Sequence, residues 1–279
     1  MNQPRPSRWA AFGATIVLSA ALLGAGAGCE TAGQDFGELM NFNTPTPTEA
    51  ASWMFHRDAE KRRLGISLIS NSHFGGEEPY MKVYREAIAD ADPMVRAACA
   101  HALGLHGSPE DALRLATALS DSSELVRWES AKGLQRIYNN GAVAALNNAV
   151  INDSSVDVRM AAANALGQYR ERRVVEALVR ALDDRSLGVS FHAQRSLRIL
   201  TGENFGPDTV AWLEWSRNVE HPFAKARLYT YPVYTRDPTF IETFTPFGKR
   251  TYEEPGVPVG FPYSAAADDA AMSPAGPGS

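Results

Sequence analysis

Residues Asp92–Gly104 read DPMVRAACAHALG, Ser123–Leu134 read SELVRWESAKGL, and Ser155–Gly167 read SVDVRMAAANALG. The three stretches align without gaps, and each carries a Val-Arg pair followed by small residues and a leucine. Successive Val-Arg pairs are 31 and 32 residues apart. Self-similarity at such a period is typical of repeat proteins, in which each unit buries its apolar face by stacking on its neighbours.

Weaker copies lie on both sides of these three. A fourth copy starts at Val189-Ser190, a further 31 residues along, and Asp58 opens a degenerate copy 34 residues before Asp92. Helical patterns also lie between the copies, at residues 80–89, 109–119, 141–150 and 172–182. Each unit is therefore a pair of helices of about 30 residues. We predict four to five such pairs over residues 49–218.

The residues within each copy predict which helix face is buried. Counting the valine as position 0, positions 4, 5, 7 and 8 hold small or apolar residues, which fall on one face of a helix. The small residues allow close approach of neighbouring helices, and the leucine at position 8 supplies most of the burial. Asp92, Ser123 and Ser155 are suitable N-caps, while Gly104 and Gly167 suit helix ends.

This pattern resembles the short bacterial HEAT-like repeats, the type also found in relatives of the phycobilisome lyases. The resemblance covers residues 49–218 and implies an all-α fold, an α-solenoid of paired helices. Residues 200–207, followed by Trp212 and Trp215, resemble the segment that closes many such arrays, so we predict a capping helix at 208–219.

The resemblance also implies a structural role for the arginine of each copy. In this family that arginine helps to join adjacent repeats, often through acidic residues at the turns. The arginines are Arg96, Arg127 and Arg159. The acidic residues available to them are Asp92, Asp121, Asp153 and Asp184.

The N-terminus has the pattern of an export signal. Two arginines precede an uncharged apolar run, and small residues follow up to Cys29. Small residues directly before a cysteine resemble the lipobox of bacterial lipoproteins, which implies lipidation of Cys29. The usual leucine of that motif is replaced by Gly26, which leaves ordinary cleavage or a retained anchor open. We predict a signal peptide at 1–28, a flexible linker at 29–48, and a location in the cell envelope, membrane-anchored or else soluble after export.

Composition argues against several functions. The net charge of −5 does not favour a nucleic-acid partner, and two cysteines cannot form a cysteine-rich metal site. No phosphate-binding loop, nucleophile elbow or metalloprotease motif occurs, and none of the six histidines pair at helical i,i+4 spacing. Cys99 falls at a small core position. We therefore predict no enzyme activity, no metal and no cofactor.

One surface feature predicts binding. By the helical period, position 2 of each copy points away from the core, which aligns Trp128, Met160 and Phe191 along three repeats. Polar residues flank this stripe, namely His101, Lys132, His192 and Arg195. Exposed, aligned apolar side chains usually mark a binding surface. We expect a protein or peptide to bind this surface, which is concave in HEAT-like arrays. Two alternatives are that the register is wrong and these residues are buried, or that the chain covers the stripe itself.

The C-terminal part combines many aromatic residues with many prolines. We predict an extended tail at 219–263, held on the array by its aromatic side chains, and a disordered end at 264–279. Three functions remain open. The first is a non-catalytic scaffold that binds a protein or peptide. The second is a lyase-like enzyme or accessory that binds a tetrapyrrole, and the third is a structural spacer in the envelope.

Overall fold

The repeat period recurs in the structure as a regular alternation of helices. The computed structural model describes residues 45–234 and 253–262. The predicted signal peptide, Cys29, nearly all of the linker and the C-terminal end at 264–279 lie outside these ranges. Eleven α-helices occur in the described part: α1 (Pro47–Trp53), α2 (Ala59–Ser70), α3 (Glu78–Ala87), α4 (Pro93–His106), α5 (Asp111–Ala118), α6 (Glu124–Gly133), α7 (Val143–Asn152), α8 (Val156–Leu166), α9 (Arg172–Ala181), α10 (Leu187–Thr201) and α11 (Thr209–Asn218). Within these ranges, no helix is long and apolar enough to cross a bilayer.

The helices pair and stack as the repeats predict. The even-numbered helices α2, α4, α6, α8 and α10 pack one on the next, so successive Val-Arg segments lie side by side. The odd-numbered helices form a second layer, in which α7, α9 and α11 are neighbours. The fold is therefore an all-α solenoid of five helix pairs, and α11 closes it. Trp212 of α11 is fully buried and packs edge-on against Phe205.

The predicted helix starts are confirmed, and one predicted helix end is wrong. The Asp92 carboxylate accepts hydrogen bonds from the backbone N–H groups of Met94 and Val95, and Ser155 caps α8 in the same way through Val158. Ser123 holds the N-cap position without a side-chain hydrogen bond. Gly167 is the C-cap of α8, but Gly104 lies inside α4, which continues to His106.

Gly104 is needed for helix contact. A Cβ atom at Gly104 would lie 2.7 Å from the Cα of Gly133 in α6, closer than such atoms approach. Glycine therefore sets the distance between α4 and α6. The other core positions are buried as predicted: Val95, Cys99, Ala100, Ala102 and Leu103 in α4; Val126, Ser130, Ala131 and Leu134 in and just after α6; Val158, Ala162, Ala163, Ala165 and Leu166 in α8.

A ladder of arginine–aspartate pairs joins the repeats at their inter-helix turns. Arg127 donates two hydrogen bonds to Asp153 of the next turn, at 2.7 and 3.0 Å, and two more to the carbonyls of Asp121 and Ser122 in its own turn. The Asp153 carboxylate also accepts from the N–H of Ser155. Each rung thus fixes two consecutive turns through charge-assisted hydrogen bonds.

The same rung repeats along the array. The pairs are Arg62–Asp90, Arg96–Asp121, Arg127–Asp153 and Arg159–Asp184. The first rung uses Asp90 rather than Asp92, which is occupied as a helix cap. Hydrogen bonds from Arg62 and Arg96 hold the pKa of Asp90 and Asp121 below the ordinary range. The ladder ends at the fifth helix pair, where Ser190 stands at the position of the arginine.

The described C-terminal residues, 220–234 and 253–262, form a strap along one edge of the array. Strands β1 (Tyr231–Tyr234) and β2 (Glu253–Gly256) pair antiparallel, with Tyr231 opposite Gly256. The strap contacts the carboxyl ends of the even-numbered helices. The N–H of Arg227 donates to Ile199 at the end of α10, and Val259 exchanges hydrogen bonds of 2.8 Å with Arg136 and Tyr138 beyond α6. Other predicted tail residues, 235–252 and Tyr263, lie outside the described ranges.

A glycine lets the strap pass close to the end of α10. Gly202, the C-cap of α10, has a φ of +75°, and a Cβ atom there would lie 2.5 Å from the carbonyl oxygen of Lys225. Both the left-handed backbone and the close approach exclude a side chain at this position.

Candidate functional site

The predicted stripe lies on the outward face of α6, α8 and α10, but its members differ in exposure. The Phe191 side chain on α10 is 62% exposed. Trp128 and Met160 are half-buried and pack against the core. Of the four residues at position 2, only Phe191 is exposed, and Ala97 is buried. We name this surface, formed by the even-numbered helices around these three residues, the stripe face.

Around Trp128, charged groups form a connected cluster. The Lys132 ammonium lies 4.0 Å from the centre of the Trp128 ring, a cation–π contact. The same ammonium is 3.5 Å from the Glu129 carboxylate, and Nδ1 of His101 is 3.0 Å from the other oxygen of that carboxylate. Burial opposes ionisation of Glu129, but the hydrogen bond from His101 and the charge of Lys132 outweigh it and lower its pKa. His101 and Lys132 thus meet at one carboxylate.

A second polar group lies beside Phe191. Nδ1 of His192 is 2.9 Å from Oδ1 of Asn164 on α8, and the His192 ring meets Phe191 edge-on. Burial and the charge of Arg195 lower the pKa of His192 below its ordinary value, so this ring is neutral near pH 7. Arg195 is exposed and forms no ion pair with any residue that the structure describes.

The structure divides the seven predicted residues into two groups. His101, Trp128 and Lys132 are brought together on α4 and α6, while His192 and Phe191 adjoin on α10 with Arg195 one turn away. Met160 lies between the groups, with its sulfur facing Gly188 of the next repeat, where a Cβ atom would lie 2.6 Å away.

Sequence reasoning missed the apolar residues at the other end of this face. Met94 is 46% exposed, and with Leu125, Ala97 and Ala98 it lines a groove of about 170 Å³ that His101 and Glu129 border. Ala97 itself is buried, although position 2 was expected to point outward. Met94 and Leu125 both stand one residue before the valine, so the same periodicity could have identified them.

The strap takes a different path from the stripe. Its hydrogen bonds and ring contacts in the described residues fall into three groups. They are with Arg172 at the start of α9, with Ile199 and Glu203 at and just after the end of α10, and with Arg136, Ile137 and Tyr138 beyond α6. Tyr229, which is buried, and Tyr231, whose ring is 5.7 Å from Arg136, lie on the same edge. The described part of the tail therefore leaves Phe191 exposed.

Among the described residues, no group of three or more His, Cys, Asp or Glu side chains is placed to hold a metal ion. Cys99 is fully buried in α4, and burial raises the pKa of its thiol, which keeps the sulfur protonated and unreactive at neutral pH.

A comparison with protein-family models matches the region that forms the helix pairs. The family model described as HEAT repeats matches three overlapping stretches, 81–150, 113–198 and 145–218. A comparison with curated protein sequences gives no match.

Among solved structures, an engineered protein is 16% identical with a TM-score of 0.46, over 63% of this chain and 87% of that one. The YibA protein of E. coli is 16% identical with a TM-score of 0.47, over 71% and 77%. The complex of CpcE and CpcF of phycocyanin lyase from Nostoc is 19% identical with a TM-score of 0.36, over 56% and 78%. The matched family model, together with paired helices repeating at the matched positions, identifies the chain as a HEAT-like repeat protein.

Proposed function

We propose that this chain is a non-catalytic scaffold that binds a protein or peptide partner through the stripe face. The observation that carries the proposal is the alignment of Phe191, Met160 and Trp128 on three successive even-numbered helices, with Phe191 62% exposed. An exposed phenylalanine on an otherwise well-packed helix contributes nothing to the core. Aromatic side chains of this kind supply the central contacts of many interfaces.

The polar groups beside the stripe support binding that is specific for one partner, because apolar contacts alone would discriminate little between partners. Lys132 and Arg195 lie on the same face. The negative charge of the Glu129 carboxylate is balanced by its contacts with His101 and Lys132. A rigid array presents these groups with little loss of conformational entropy on binding. HEAT-like arrays use such long surfaces for protein contacts.

We also propose that the chain acts at the cell envelope. The support is the N-terminal sequence, in which an apolar run and small residues precede Cys29. Acylation of Cys29 would tether the array to a membrane, since each buried CH₂ contributes about 0.8 kcal/mol. Mass spectrometry of the mature N-terminus tests this: an acylated Cys29 supports the tether, and an unmodified terminus contradicts it.

Site-specific photocrosslinking in the native cell tests the scaffold proposal. A benzoylphenylalanine at position 191 should give a discrete crosslinked product, which weakens strongly when Trp128 is replaced by alanine. The matched control is the same probe at Leu113, which is exposed on the odd-numbered layer. Equal products from both positions, or no product from position 191, would contradict binding through the stripe face. Circular dichroism of the Trp128→Ala protein establishes that the fold is intact.

A further inference from the structure

The last even-numbered helix, α10, has no helical neighbour on one of its sides. Each earlier even-numbered helix packs between two others, and the first of them, α2, lies between α1 and α4. A Cβ atom at Gly65 of α2 would lie 2.6 Å from the carbonyl oxygen of Ala50, so α1 closely covers that end of the layer. At the other end, α10 packs on α8 and α9, and α11 packs on α9 instead of continuing the layer. Within the described ranges, no helix takes the next place after α10.

The repeat positions show which side chains of α10 face this free side. Met160, at position 2 of α8, and Gly167, at position 9, both lie against residues of α10. Ala97, at position 2 of α4, is buried. Positions 2 and 9 thus point towards the next even-numbered helix. In α10 these positions hold Phe191 and Arg198, and the lack of a next helix accounts for the exposure of Phe191.

Apolar residues and arginines share the free side of α10. Leu187, one turn before Phe191, is 88% exposed. By the helical period, Leu187, Phe191 and Arg198 lie along one line of the helix surface, and Arg195 is exposed beside them. We name the surface formed by these four residues the open end. It has an apolar half towards the N-terminus of α10 and a basic half towards the C-terminus.

The positive charge of the basic half is not balanced within the part of the chain that the structure describes. The sequence of α10 contains no acidic residue. Arg195 and Arg198 form no ion pair with any described residue, and Arg227 of the strap, which bonds to the end of α10, is also exposed. The Glu203 carboxylate, just after α10, is already paired with Lys225. These charges favour an acidic partner and disfavour a second copy of this chain, which would add like charges to the interface.

We propose that the partner contributes an acidic, amphipathic α-helix, which docks on the open end in the place of a sixth even-numbered helix. This inference rests on the proposed function, because the open end shares Phe191 with the stripe face. Apolar residues of the docked helix would cover Leu187 and Phe191, and its carboxylates would face Arg195 and Arg198. The corresponding side of α8 packs on a helix, so the ridges and grooves of this side suit a helix better than an extended segment.

Photocrosslinking in the native cell from two positions of the open end tests the shape of the docked segment. Benzoylphenylalanine replaces Leu187 in one protein and Arg198 in another, and mass spectrometry identifies the crosslinked partner residues. The two positions are 11 residues apart, which is about 16 Å along the helix axis. A helix lying along α10 covers this distance with about 11 residues, whereas an extended segment covers it with about five. We expect crosslinked partner residues about 11 apart, within a segment that carries acidic residues.

Neutral variants test recognition by the basic half. Replacing both Arg195 and Arg198 by glutamine should lower the yield of the crosslink from position 191 about tenfold, because the charge-assisted contacts to the partner are lost. Arg180→Gln is the matched control, since Arg180 is an exposed arginine on α9, and the yield should not change. Circular dichroism of both variants establishes that the fold is intact.

The possible failures separate this inference from the proposed function. Partner residues about five apart, an unchanged yield in the double arginine variant, or no product from positions 187 and 198 would overturn the docked helix. A crosslink from these positions to this chain itself or to a second copy would overturn it as well. All of these outcomes are compatible with a partner product from position 191, whereas the absence of that product would contradict the proposed function.

Discussion

At the scale of single residues, the ladder arginines perform more than one task each. Arg127 contacts a carboxylate in the following turn and two carbonyls in its own, and its side chain is only 13% exposed. We predict that Arg127→Ala lowers the free energy of unfolding by about 2–3 kcal/mol, because the Asp153 carboxylate then keeps its burial and loses its partner. Urea denaturation measures the change.

A surface arginine provides the control for this prediction. Arg114 is 46% exposed and lies 3.6 Å from Asp111, a pair of the kind that contributes little. Arg114→Ala should change stability by less than about 0.5 kcal/mol. Equal losses in the two variants would show that the ladder contributes no more than an ordinary surface pair.

The lowered pKa of His192 makes the free energy of unfolding depend on pH. Its folded pKa is lowered by burial and by Arg195, whereas an unfolded histidine titrates near 6.5. Below about pH 6.5 the unfolded chain therefore binds a proton before the folded protein does, and stability falls until the folded pKa is passed. We expect the chain to lose more stability than His192→Gln between about pH 7.5 and pH 5.5. Urea midpoints at the two pH values measure the loss, and parallel losses would contradict the assignment.

At the scale of helices, the closest packing lies between α4 and α6. Gly104→Ala places a Cβ 2.7 Å from the Gly133 backbone, which cannot move without shifting α6. We predict a loss of about 1–3 kcal/mol in unfolding free energy, because the added methyl overpacks the contact. Thermal and urea unfolding measure this loss.

Gly188→Ala is the matched control for this contact. Its Cβ would meet the flexible Met160 sulfur, so the substitution should be neutral or stabilising through helix propensity. A Gly104→Ala protein as stable as the Gly188→Ala protein would show that α4 and α6 can separate freely.

The helices also show what the sequence could predict. The buried face followed from periodicity, because residues at 3.6-residue spacing must share a face whatever they pack against. Gly104 was misread because glycine suits both a helix end and a close contact, and only the position of Gly133 distinguishes them. The partner of Arg62 needed coordinates as well, since Asp90 and Asp92 stand on the same turn.

The strap could not be predicted in detail for a related reason. The pairing of Tyr231 with Gly256 and the contact of Phe261 with Tyr138 join residues far apart in the chain. Local patterns in the sequence carry no information about such distant partners. The aromatic residues indicated that the tail packs on the array, but not which edge it follows.

At the scale of the whole array, the strap should stabilise the last three repeats together. Tyr229, which is 4% exposed, anchors it. We predict that Tyr229→Ala lowers the unfolding free energy by about 3 kcal/mol and speeds hydrogen exchange at the Val259 amide. The control is Val210→Ala, at an exposed position on α11, which should change neither quantity. Unchanged exchange at Val259 would show that the strap docks without Tyr229.

The two anchor points of the strap have a mechanical consequence. A solenoid of stacked helix pairs can lengthen or shorten, because small rotations between neighbouring pairs add up along its length. The strap is attached at Ile199, at one end of this span, and at Arg136 and Tyr138, at the other. Any stretching of the coil between these points must pull β1 and β2 apart, so the strap limits the extension of the C-terminal half and leaves the N-terminal half more compliant.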